Sequence, residues 1–68
     1  MLKIEGAFSV GKYTVLRLSG EKPKTEYSKY VINEKTYDAV PMYDAMNCIA
    51  IETSEKSEKF IGETVGFQ

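Results

Sequence analysis

No stretch of this sequence holds an apolar residue in step with a helical turn for ten residues, and that removes most fold classes at once. What recurs is a period of two, the spacing of a strand with one dry face. In LKIEGAF, residues 2 to 8, Leu2, Ile4 and Phe8 share one face and Lys3 and Glu5 the other. A turn around Gly11 follows. In KYTVLRLS, residues 12 to 19, Thr14, Leu16 and Leu18 share a face, with Tyr13, Val15 and Arg17 opposite. The β-branched and aromatic residues there favour strand.

The rest of the chain repeats this grammar. Gly20 stops the second strand, and GEKPKTE, residues 20 to 26, reads as a loop around Pro23. YSKYVIN, residues 27 to 33, is the next strand. Asn33-Glu34-Lys35 is a polar break that predicts a hairpin into TYDAV, residues 36 to 40. Pro41 lacks a backbone donor and so ends that strand or marks an edge or bulge. MYDAM, residues 42 to 46, fits a short helical turn or a bent strand. NCIAIET, residues 47 to 53, is apolar on both faces and reads as a buried central strand. SEKSEK, residues 54 to 59, is a charged loop. FIGETVGF, residues 60 to 67, is a last strand or short hairpin.

The pattern therefore predicts one all-β domain over residues 1–68. It is a small antiparallel barrel of five or six strands, SH3-like or OB-type, with an optional helical turn near residues 42–46. Length limits its stability. A core in 68 residues supplies about 3–5 kcal/mol. Chains of this size commonly add disulfides, a metal or a partner. Cys48 is the single cysteine and histidine is absent, so neither an internal disulfide nor a structural zinc site can form. An efficient core or self-association remains.

Net charge is −1, so the chain has no overall positive field for nucleic acid. MLKIEGAF holds no apolar run of signal-peptide or membrane length. The free thiol fits a reducing compartment. The expectation is an intact small cytoplasmic protein.

Several motifs invite chemistry. GAFSVGKYT, residues 6 to 14, approaches the phosphate-binding loop, with Gly, four residues, Gly and Lys. That loop needs Ser or Thr directly after the Lys, and a helix whose first N–H groups face the phosphate. Tyr13 stands there instead, and YTVLRL favours strand. The expected structure is a glycine-assisted turn with Lys12 in solvent.

YDAVPMYDAM repeats Tyr-Asp-Ala, placing Asp38 and Asp44 six residues apart. An extended segment would separate them by about 20 Å. Paired catalytic carboxylates stand at roughly 5–9.5 Å, so both are expected as solvent-facing residues near a bend. Cys48 lies in the most apolar run, with no histidine to serve as its base. It is expected as an inert core residue. No catalytic residue, cofactor or metal site is expected, and the chain is read as no enzyme.

The surface carries the functional reading. Five tyrosines and three phenylalanines exceed what so small a barrel can bury, and tyrosine is enriched in interfaces. Tyr27, Tyr30, Tyr37 and Tyr43 are the candidate contact residues of a protein-interaction or accessory module. An exposed edge strand could pair with a protein partner or with a second copy, giving a homodimer. The alternative is a barrel binding single-stranded nucleic acid. Lys22, Lys24 and Lys29 would contact phosphates, and Tyr27 and Tyr30 would stack bases. Glu21 and Glu26 weaken the charge of that stretch. No membrane partner is expected.

Overall fold

The computed structural model describes residues 2–23, 27–42 and 46–68. They form six strands: β1 (Leu2–Val10), β2 (Tyr13–Leu18), β3 (Lys29–Ile32), β4 (Lys35–Val40), β5 (Cys48–Glu52) and β6 (Thr64–Phe67). One 3-10 turn, Ser57–Phe60, precedes β6. The strands close into a barrel in the order β1-β2-β5-β4-β3-β6. Every neighbouring pair is antiparallel. The all-β barrel expected from the alternation is the observed fold, with the higher of the two strand counts.

The hairpins follow from local chemistry. Val10 pairs with Tyr13, leaving Gly11 and Lys12 as the loop. Gly11 sits at φ +60°, a first turn position where any other residue would be strained. Ile32 pairs with Lys35 across Asn33 and Glu34, whose φ angles are 51° and 67°. Two left-handed residues are what a tight hairpin needs to match the strand twist. Asn tolerates that region; Glu does so at a cost.

The interior is filled by alternate residues of all six strands. Leu16 and Leu18 of β2 and Ile49 and Ile51 of β5 are all 1% exposed or less. Ile4, Ile32 and Val65 join them in one core. Thr14, Leu16 and Leu18 share a face of β2 as expected, and that face is the inward one. The 3-10 turn drives Phe60 into the core at 1% exposure, a burial worth about 1.5–3 kcal/mol. There its ring meets Tyr37 edge to face at 5.6 Å. Phe67 performs the same service elsewhere, edge to face on Tyr30 at 5.4 Å and tilted on Tyr27 at 5.5 Å.

The structure corrects two expectations and bears out a third. Phe8 does not share a face with Leu2 and Ile4. Ile4 pairs with Leu18 but Gly6 pairs with Arg17, so β1 carries a bulge between them. One extra residue reverses every later side chain. Ala7 turns in against the core, and Phe8 turns out. β5 is the buried central strand expected, flanked by β2 and β4 with Ile49, Ala50 and Ile51 all buried, though Cys48 is only partly covered. Phe60 belongs to the 3-10 turn and not to the last strand, which begins at Thr64 after Gly62 at φ +92°. The optional helical turn falls mostly on residues 43–45, outside the described residues.

Replacing Ile49 by Ala should remove about 2–5 kcal/mol, enough to leave little of a domain this small folded in urea titrations. Glu34→Gly should act in the opposite direction. Relief of the left-handed strain, about 1–2 kcal/mol, exceeds the added freedom of the unfolded chain. A gain of about 0.5–1 kcal/mol should appear as a higher urea midpoint.

Candidate functional site

The register brings an apolar row onto the outside of the barrel. Phe8 pairs with Val15, Val15 with Ala50, and Ala50 with Val40. Paired residues point to the same side of a sheet, so these four run across β1, β2, β5 and β4. None belongs to the core cluster, yet Val15 and Ala50 are only 8% and 6% exposed. Their neighbours shield them. Phe8 itself is 55% exposed, and Val10, two residues along the same face, is 51% exposed. Large apolar groups grouped in this way on one face mark contact surfaces more often than isolated ones do.

Ion pairs frame the row. At one end Arg17 Nη1 stands 3.7 Å from Glu5 Oε1. Gly6 makes room for this: a Cβ there would lie 3.2 Å from the Arg17 guanidinium. At the other end Lys12 Nζ lies 3.8 Å from Glu52 Oε2 and 5.5 Å from the centre of the Tyr13 ring. Both pairs are exposed and each contributes about 0–1 kcal/mol. Their main effect is on the field, because they leave the face with balanced charge.

The residues singled out by sequence are placed elsewhere. Tyr30 and Tyr37 are each 9% exposed, so most of their area is spent inside the barrel. Tyr27 is half-buried and lines an open groove of about 440 Å³ with Pro23 and Phe67. Tyr43, Asp44 and Lys24 lie outside the described residues. Lys22 donates from Nζ to the carbonyls of Met42 at 2.6 Å and Cys48 at 3.0 Å, pinning its loop to the segment before β5. Lys29 pairs with Asp38, its neighbour across β3 and β4. Lys22 and Lys29 are thus each engaged within the chain, and Tyr27 and Tyr30 pack on Phe67.

Gly11 and Lys12 form the β1–β2 hairpin turn, and no helix follows them. Cys48 is partly exposed rather than interior, because it falls on the outward parity of β5, opposite Arg17. Its thiol donates to Asn47 Oδ1 at 3.7 Å. Among the described residues, no three acidic or cysteine side chains converge as ligands of a cation, and no helix is long and apolar enough to cross a membrane.

Sequence reasoning missed Phe8, Val10, Val15, Ala50 and Val40. One signal was present. NCIAIET is apolar on both faces, and a small barrel can turn only one face inward. The other face of β5 had to form apolar outer surface.

A polar hub gathers around Glu55. The Glu55 carboxylate accepts from Lys59, from the Tyr37 hydroxyl at 2.5 Å and from Lys35 at 3.1 Å. The Lys59 ammonium, then Tyr37 and Lys35, hold its carboxyl down at about 2. Burial, then the hydrogen bond to Glu55, pushes the Tyr37 hydroxyl up to about 12. Burial also raises Tyr30. The hub ties the 3-10 turn to β4 and seats Phe60.

Both shifts give stability a pH dependence of known sign. Glu55 binds its proton more weakly folded than unfolded, so its contribution is complete above pH 4.5 and disappears as pH falls toward 2. Tyr37 favours the neutral hydroxyl, so its contribution is complete below pH 10 and disappears as pH rises toward 12. Unfolding measured against pH should show both limbs. Tyr37→Phe should flatten the alkaline limb, leaving the part due to Tyr30, and should raise the Glu55 carboxyl in an NMR titration.

In comparisons with known proteins the chain matches no family model, no curated protein and no solved structure, so its functional reading rests on its own surface.

Proposed function

We propose that this protein is a small non-catalytic interaction module that binds another protein surface through the outside of β1, β2, β5 and β4. The observation that carries this reading is the row Phe8, Val15, Ala50 and Val40, continued by Val10, on a face that the barrel does not need for its core. An apolar centre with a polar, charge-balanced rim is the anatomy of a protein interface. A partner that covered Phe8 and Val10 would remove from water two side chains now more than half exposed.

This reading shifts the contact away from the tyrosines. Tyr30 and Tyr37 have little free area to offer. A nucleic-acid reading gains less support, because Lys22 and Lys29 are held by carbonyls and by Asp38.

Phe8→Asp places a charge at the exposed end of the row without touching the core. The variant should keep its circular dichroism and its urea midpoint to within about 0.5 kcal/mol. Its association, with itself or with proteins captured from a cell extract, should fall at least about tenfold. If Phe8→Asp and Val10→Asp both leave every association unchanged, the contact surface lies elsewhere.

A further inference from the structure

We infer that residues 54–61 form a strap that opens as one unit while the barrel stays closed, hinged at Thr53 and Gly62 and latched onto β4 by the Glu55 carboxylate.

Backbone hydrogen bonds mark the two ends of the strap. The Thr53 amide donates to the Lys12 carbonyl at 3.3 Å, and the Gly62 amide donates to the Ile4 carbonyl at 2.8 Å. Between these anchors, among the described residues, the main chain bonds only within the strap and to the residues that flank it. Lys59 donates to Lys56, Ile61 to Glu58, Glu63 to Phe60, and the Glu55 amide to Thr53 Oγ1. The ring of six strands does not run through this segment, so its departure breaks no strand pairing. Gly62 sits at φ +92°, with open space where a Cβ would stand, which gives the hinge a residue free to turn.

Two side chains hold the strap down. Phe60 is its one buried residue. The 3-10 turn lies against β1 and sets that ring edge to face on Tyr37. Glu55 is the polar fastening. Its carboxylate accepts from the Tyr37 hydroxyl at 2.5 Å and from Lys35 at 3.1 Å, both on β4. Lys59 belongs to the strap, so its bond to Glu55 aims the carboxylate and adds no link to the barrel. Both links to β4 converge on one carboxylate, and one substitution there weakens them together.

Opening is the smaller of two events. It withdraws one ring from the core, whereas global unfolding also exposes Leu16, Leu18, Ile49 and Ile51. A segment with few buried contacts and no ladder bonds opens before the strands do. The Lys35 side chain is 64% exposed, so salt weakens the latch by screening it. Release leaves a ring-sized site beside Tyr37 open to solvent.

Amide exchange of the full chain in low concentrations of urea, read residue by residue by NMR, tests this. The Leu18 amide, which donates to the Asn47 carbonyl at 2.7 Å, reports global unfolding. The amides of Lys59, Ile61 and Glu63 should share one opening and exchange at least about tenfold faster than Leu18. Their urea dependence should be above zero and shallower than that of Leu18, because less surface is exposed. Glu55→Gln keeps an acceptor for Tyr37 and removes the charge. It should raise the ratio of strap exchange to Leu18 exchange by at least about a further tenfold. Lys35→Met and added sodium chloride should move the ratio in the same direction. Lys29→Met, which breaks the ion pair to Asp38, should leave it unchanged. Reading the ratio separates the latch from any general loss of stability. Strap amides that exchange at the rate and urea slope of Leu18 overturn the inference, since the strap then opens only when the whole barrel unfolds. Strap amides with no urea dependence also overturn it, since each then frays alone. A ratio that Glu55→Gln leaves unmoved overturns the role of Glu55 as the latch.

Discussion

One extra residue in β1 organises this molecule. Between Ile4 and Gly6 the strand advances a residue relative to β2. Before the bulge its inward residues are Leu2 and Ile4; after it, Ala7 packs inward while Phe8 and Val10 stand outside. A nine-residue strand without a bulge would run too straight to serve both β2 and β6 in a closed ring. The bulge bends it, so that its first part pairs with β6 and its later part with β2. The same displacement supplies the outer face with its most exposed aromatic ring. Closure of the barrel and exposure of Phe8 and Val10 have one cause.

The barrel obtains its interior economically. Branched aliphatics from alternate positions fill the centre, while Phe60 on its 3-10 turn and Phe67 on β6 anchor two aromatic clusters. Polar residues hold these aromatics in place. Glu55 draws Lys35, Lys59 and Tyr37 onto one carboxylate, and Lys22 reaches across to two carbonyls of another loop. These links join residues from 4 to 26 positions apart. Together they substitute for the disulfides or metal that so short a chain cannot form.

The functional consequence is a division of labour between the two faces of a sheet. β2 and β5 each carry apolar residues on both sides. Their inward residues build the core, and their outward residues, Val15, Cys48 and Ala50, build a surface. An apolar surface on a chain with so little core is costly in solubility unless something covers it. The Glu5–Arg17 and Lys12–Glu52 ion pairs beside it moderate that cost.

Much of the fold was legible in the sequence. The period of two, the turn at Gly11, the hairpin at Asn33 and the face shared by Thr14, Leu16 and Leu18 all depend on local backbone preference and on the alternation of side chains. These act within a few residues, and neighbours in sequence express them. The candidate site was not legible in the same way. Whether Phe8 points in or out depends on a single-residue slip against β2, and nothing in LKIEGAF itself marks it except the permissive Gly6. The tyrosines suggested an interface because their number is visible in sequence, whereas the burial of Tyr30 and Tyr37 depends on Phe67 and Phe60 arriving from the far end of the chain. The sequence by itself determined a small antiparallel barrel with no histidine and no disulfide. Only the tertiary structure decided which residues form its outer face, because pairing register couples strands distant in sequence, and one unit of register reverses inside and outside.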